Sequence, residues 1–287
     1  MVAGLVDYAG LFPPASLSMI DAVAAYAGYL DAPETWILGR FVVPAGRLDE
    51  LAIAAARHGS AHAEPWPISV LLGDDLLGDI ARVHQAGLDH ASLLQVESVE
   101  LRAATPDAIC AAVQAVSGRA TIYVELPIVD DPRMLLEAIR ESGARAKVRT
   151  GGVTTGAVPS PATLARFIAR CAEVGVPFKA TAGLHHPLRS EHRLTYEPDA
   201  PRDTMFGFLN VFAAAAFALS GVPEEVVQAV LEERDGAALR FGLDALAWRD
   251  LTLPLDQLLE ARATFAISFG SCSFREPVDD LHSLALL

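Results

Sequence analysis

Lys147 and Lys179 occupy corresponding places in two short strand-like segments. The first reads Ala-Lys-Val-Arg-Thr-Gly-Gly over 146–152. The second reads Phe-Lys-Ala-Thr-Ala-Gly-Leu-His-His over 178–186. Each lysine is followed four residues later by a glycine, and a helix-patterned stretch at 160–174 lies between them. A buried ammonium costs several kcal/mol unless it is paired or gives up its proton. A lysine with a depressed pKa is an amine nucleophile, so the pair points to chemistry on a carbonyl group.

Strand side chains alternate between two faces, and that rule groups the polar residues around the lysines. In 144–149, Lys147 and Arg149 oppose Ala146 and Val148. In 177–182, Lys179 and Thr181 oppose Phe178 and Ala180. In 121–127, Tyr123 and Glu125 oppose Ile122 and Val124, and in 91–97, Gln95 and Glu97 oppose Leu94 and Val96. Four consecutive strands thus aim polar groups one way. A barrel interior is ordinarily filled by Val, Ile and Leu, so charges there indicate a wet functional cavity rather than a packed core. Asp7, after the first strand, either joins this site or caps its own loop. Of the adjacent His185 and His186, at most one serves the site, beside Arg189.

The strands that carry these residues belong to a longer rhythm. Apolar runs at 4–8, 36–43, 67–72, 91–97, 121–127, 144–149, 177–182 and 265–270 alternate with helical patterns at 16–31, 46–58, 75–86, 106–117, 132–142, 160–174, 203–219, 223–234 and 253–263. Ser16, Thr105-Pro106 and Ser160-Pro161 read as helix starts. Gly59, Gly87, Gly118, Gly143, Gly175 and Gly221 read as helix ends. Eight strands alternating with helices predict a (β/α)8 TIM barrel of the α/β class, spanning 1–287 as one domain. Residues 183–264 exceed one repeat, so extra helices at about 190–264 elaborate the segment between strands seven and eight. Leu239 to Leu253 has no clear assignment.

The chain of 287 residues carries a formal charge of −14, which argues against nucleic-acid or anionic-membrane partners. Residues 205–219 are apolar but shorter than the roughly 20 a membrane span needs, and they include Asn210. They read as a buried helix, with a homodimer contact as the other reading. The three cysteines show no CxxC spacing, and a cytoplasmic location is the default. Cys110 and Cys171 read as small core residues, Cys272 as structural in preference to a nucleophile, and Asn210 as a satisfied core amide. His58, His62, His84 and His90 read as surface residues.

The lysine motifs resemble those of deoxyribose-phosphate aldolases. Lys147-Val-Arg-Thr150-Gly151 is similar to their sixth-strand Lys-Thr-Ser-Thr-Gly, with Arg149 where a small hydroxyl residue stands. Lys179-Ala-Thr181-Ala-Gly183 resembles their seventh-strand Lys-Ala-Ser-Gly-Gly, and Ser268-Phe-Gly270-Ser271-Cys-Ser273 their eighth-strand Arg-Ile-Gly-Thr-Ser-Ser. The resemblance implies a Schiff base on Lys147, with Lys179 lowering its pKa. It also implies an anion pocket of Gly183, Gly270, Ser271 and Ser273. Glu125 or Glu97, helped by Tyr123, would shuttle protons. Asp7, Arg149, Thr150, Gly151, Thr181, His185 and Arg189 complete the expected substrate contacts, and no cofactor or metal is called for. The expectation is an aldolase or related lyase acting on a small anionic carbonyl or sugar-phosphate-like compound. The alternatives are a metal-assisted hydrolase or isomerase using Glu97, Glu125 and His185 or His186, and a barrel that binds a metabolite without turning it over.

Overall fold

A computed structural model describes residues 1–58, 64–116, 118, 120–128 and 131–287. Its first seven strands are β1 (Val6–Tyr8), β2 (Leu38–Pro44), β3 (Trp66–Leu71), β4 (Leu94–Arg102), β5 (Thr121–Glu125), β6 (Arg145–Arg149) and β7 (Phe178–Thr181). A hairpin of β8 (Ser190–Arg193) and β9 (Arg202–Met205) follows, then a small antiparallel sheet of β10 (Leu239–Phe241), β11 (Ala245–Trp248) and β12 (Leu251–Pro254). The last strand, β13 (Ala266–Ser271), lies between β7 and β1. The parallel order β1-β13-β7-β6-β5-β4-β3-β2 closes a (β/α)8 barrel.

The helices are α1 (Met19–Leu30), α2 (Leu48–Ala55), α3 (Leu76–Asp89), α4 (Pro106–Ala115), α5 (Arg133–Glu141), α6 (Pro161–Val174), α7 (Phe208–Leu219), α8 (Glu224–Glu232), α9 (Leu255–Thr264) and α10 (Arg275–Ser283). Local chemistry sets several of their ends. The Ser160 hydroxyl accepts from the Thr163 N–H ahead of Pro161, and Gly175 closes α6 with φ of 75°. Thr105 caps α4 in the same way, accepting from the Ala108 N–H. The apolar α7 is buried on nearly all sides by α6, α8, α9 and β13. Phe208 stacks on Phe269 of β13 with ring centroids 5.2 Å apart. The Asn210 amide donates to the Val230 and Glu233 carbonyls and accepts from the Arg189 N–H, so its polarity is fully used inside the chain.

Several expectations change. The first helix is capped by Ser18, whose hydroxyl accepts from the Asp21 N–H, not by Ser16, which has φ of 45°. Gly87 lies within α3, which runs on to Asp89. Gly118, Gly143, Gly175 and Gly221 do follow helix ends with positive φ. Gly59 and His62 lie outside the described residues. The elaborated segment is not helical alone. Residues Arg202–Met205, expected to open a helix, pair antiparallel with β8, and Leu239 to Leu253 falls in the three-stranded sheet. Helix α10 lies beyond 253–263, the last helical pattern read from the sequence. Among the described residues, no helix is long and apolar enough to cross a membrane.

Candidate active site

Parallel pairing puts opposed residues on the same face, and the register here stacks charges. Glu125 of β5 lies opposite Lys147 of β6, and Lys147 opposite Lys179 of β7. All three face the lumen, and each is buried. Lys147 Nζ lies 2.7 Å from Glu100 Oε2 and 2.9 Å from Glu125 Oε2. Lys179 Nζ lies 2.8 Å from Glu100 Oε1 and 2.5 Å from Asp7 Oδ2. Glu100 therefore bridges the two ammoniums. The Ser69 hydroxyl donates to Glu100, and the Ser98 hydroxyl donates to Ser69. Asp7 also accepts from the Ser268 hydroxyl and the Arg40 N–H. The Tyr123 ring lies one layer lower, its centroid 5.3 Å from Lys179 Nζ.

The mutual attraction in this cluster outweighs its desolvation. Burial pushes the Glu100 carboxyl up, but Lys147 and Lys179 together hold it far below the usual carboxylate range. Burial likewise raises Glu125, and Lys147 more than offsets it, so the net shift is downward. Burial alone would lower Lys179. Asp7 and Glu100 outweigh it and raise the ammonium above the ordinary lysine range. Lys179 is thus a fixed positive charge with every near neighbour committed. Lys147, at 5% exposure against 1% for Lys179, is the less enclosed of the two amines.

A cavity of about 920 Å3 opens above the cluster at the C-terminal mouth of the barrel, where (β/α)8 enzymes carry their chemistry. Lys147, Lys179, Glu100 and Glu125 form its floor, and Arg149, Thr181, Gly183, His185 and Gly270 line its walls. Other expected site residues are engaged elsewhere. Glu97 pairs with Arg40 at 2.9 Å, so it does not join Glu125. The Thr150 hydroxyl donates to the Ala182 carbonyl at 2.6 Å, clasping the ends of β6 and β7 together. There Gly151 and Gly183 pack backbone to backbone, and a Cβ on Gly183 would meet Gly151 Cα at 2.9 Å. The Arg189 guanidinium lies over Phe206, 4.7 Å from the ring centroid. Ser271 accepts from the Ser273 N–H, and Ser273 from the Glu276 N–H, so both hydroxyls fasten the turn into α10.

His185 Nδ1 lies 2.9 Å from Glu276 Oε2. His186 is held separately by Asp280 at 2.6 Å and stacks on His192. Only His185 of this pair lines the cavity. Cys272 also reaches it, but burial pushes its thiol up, away from the thiolate a nucleophile needs. Among the described residues, no group of three or more His, Cys, Asp or Glu side chains is arranged to hold a metal ion. Glu97, Glu125 and His185 each have a different partner.

The sequence reading missed Glu100, together with Ser69, Ser98 and Arg102. The strand expected at 91–97 runs to Arg102, and its register against β3 slips after Ile68, leaving Glu97 as the extra residue. Beyond the slip Ser98 and Glu100 face the lumen, while Gln95, which precedes it, is exposed. The alternation Ser98-Val-Glu100-Leu-Arg102 was the available signal.

No family model matches the chain, and no curated protein matches it. Among solved structures, one described as QR15, an aldolase, superposes with a TM-score of 0.45 at 13% identity, covering 65% of this chain and 83% of that one.

Proposed function

We propose that the chain is an aldolase or related lyase that works through an imine on Lys147. The observation that carries the reading is the shared carboxylate, with Glu100 touching both Lys147 and Lys179. Lys147 passes one proton to Glu125, and its freed lone pair attacks a substrate carbonyl carbon. The carbonyl oxygen takes up protons and leaves as water, giving a protonated imine. That iminium accepts the electron pair of the Cα–Cβ bond as an enamine, while the hydroxyl on Cβ gives its proton to a carboxylate or to His185 and becomes the carbonyl of the released fragment. Protonation of the enamine and addition of water then free Lys147. Lys179 stays charged throughout. It keeps Glu100 ionised and so returns the cluster to its starting proton count. Tyr123 acts from beneath, as the face on which Lys179 rests.

Borohydride reduction in the presence of small aldehydes, followed by peptide mass spectrometry, tests the reading. A reduced adduct on Lys147, absent in Lys147→Met, is the expected result. An adduct confined to surface lysines, or none across a panel of aldehydes, overturns it.

A further inference from the structure

We infer that the anionic group of the substrate is a carboxylate held by Arg102 and Arg149, on the β4–β6 side of the mouth and opposite the glycine-serine turn. The inference deepens the imine reading by naming the substrate class, small carbonyl acids in place of sugar phosphates. Two features of the turn after β13 weigh against an anion there. The Ser273 and Glu276 N–H groups, donors an anion could use, are already given to the Ser271 and Ser273 hydroxyl oxygens. Glu276, in the first turn of α10, also sets a carboxylate against His185, which lines the cavity on that side. Burial would raise the Glu276 carboxyl, but His185 outweighs it and keeps the group ionised. A second negative charge meets repulsion at that wall.

The opposite wall is cationic. Arg102 and Arg149 both line the cavity, and their side chains are 77% and 48% exposed. Arg102 Nε reaches Glu125 Oε1 at 3.2 Å, and Arg149 approaches the same oxygen at 4.0 Å, beyond hydrogen-bond range. Glu125 gives its other oxygen to Lys147. One carboxylate is therefore shared by three cations, and the guanidinium edges remain available to a ligand. Across the whole cluster, Lys147, Lys179, Arg40, Arg102 and Arg149 face Asp7, Glu97, Glu100 and Glu125, which leaves one positive charge over. A monoanion completes that balance, while a phosphate dianion overshoots it. Paired guanidiniums also match the planar fork of a carboxylate. Because Lys147 and Arg102 sit on the two oxygens of the same Glu125, the carbonyl and the carboxylate of the ligand need only a short carbon chain between them.

The test compares borohydride trapping of succinic semialdehyde, glyceraldehyde 3-phosphate and propanal on Lys147. The expected order is carboxylate over neutral aldehyde by on the order of tenfold to a hundredfold, with the phosphate compound below the carboxylate. Arg149→Gln and Arg102→Gln should each collapse that preference, and Arg149→Lys should retain part of it. Equal or better trapping of the phosphate compound, or a preference unchanged in both glutamine variants, overturns the inference while leaving imine chemistry intact. If no aldehyde is trapped, the imine reading fails and the anion site is read by calorimetric titration with butyrate, which has no carbonyl to form an imine. Binding that is lost in Arg149→Gln then supports the site, and absence of binding overturns it.

Discussion

Glu100 accepts from Lys147 on one oxygen and from Lys179 and Ser69 on the other, so neutralising it leaves two ammoniums facing each other in a buried lumen. Removing one partner from a buried pair costs about 3–5 kcal/mol, and Glu100→Gln should lose close to that amount in urea denaturation. Glu97→Gln should lose less than about 1 kcal/mol, because its pair with Arg40 is part-exposed. Similar losses at the two positions would contradict the bridging role. This contrast is also where reading residues from sequence reaches its limit. Lys147, Lys179 and Glu125 were placed on one face by strand parity, because their strands are regular. Glu97 was placed with them by the same rule, and one extra residue in β4 moved the lumen position to Glu100. Alternation has a period of two, so a single bulge exchanges the faces beyond it.

The ends of β6 and β7 show how an element fixes the site. Gly183 has φ of 79° and its missing Cβ is where Gly151 Cα approaches, whereas Gly143 has φ of 73° with nothing within 4 Å of a Cβ. Both carry the cost of a left-handed backbone for an L side chain, about 1–2 kcal/mol. Only Gly183 adds backbone overlap, a further ~1–3 kcal/mol. Gly143→Ala should therefore lower stability modestly and leave aldehyde trapping on Lys147 unaltered. Gly183→Ala should lower stability more and reduce trapping as the two strand ends separate. Equal effects in thermal denaturation and in trapping would sink the close-packing argument. At this scale the sequence was informative where hydrophobic period and capping agree, as in α6 with Ser160, Pro161 and Gly175. It was silent where polar pairing decides, as in the β8–β9 hairpin, whose Ser-Glu-His-Arg and Arg-Asp-Thr-Met segments have no apolar face to reveal them.

Over the whole molecule, the net charge of −14 conceals a lumen with a cationic surplus, and the carboxylates and Lys179 within it respond oppositely to pH. Glu100 and Glu125 have lowered pKa values, so their pairing stabilises the fold above their unfolded value near 4.5 and is lost as pH falls below it. Lys179 has a raised pKa, so its contribution is complete below about 10.5 and lost only as pH rises through its higher folded value. His192, in the elaborated segment, adds a third transition. Burial first, then His186 stacked 3.5 Å away, lowers it from 6.5 to about 4. Asp280 opposes that shift, while Arg202 and His185 reinforce it. Between those two values the unfolded imidazole binds a proton that the folded one refuses, so stability declines as pH falls through that window. Stability should thus be flat from about pH 7.5 to 10, fall gently from 6.5 to 4.5 and fall steeply below. His192→Gln should remove the gentle slope alone, because His192 touches Ser190 and His186 and not the lumen carboxylates. Urea denaturation at closely spaced pH values measures it, and an unchanged slope in His192→Gln would place the acid response elsewhere in the molecule.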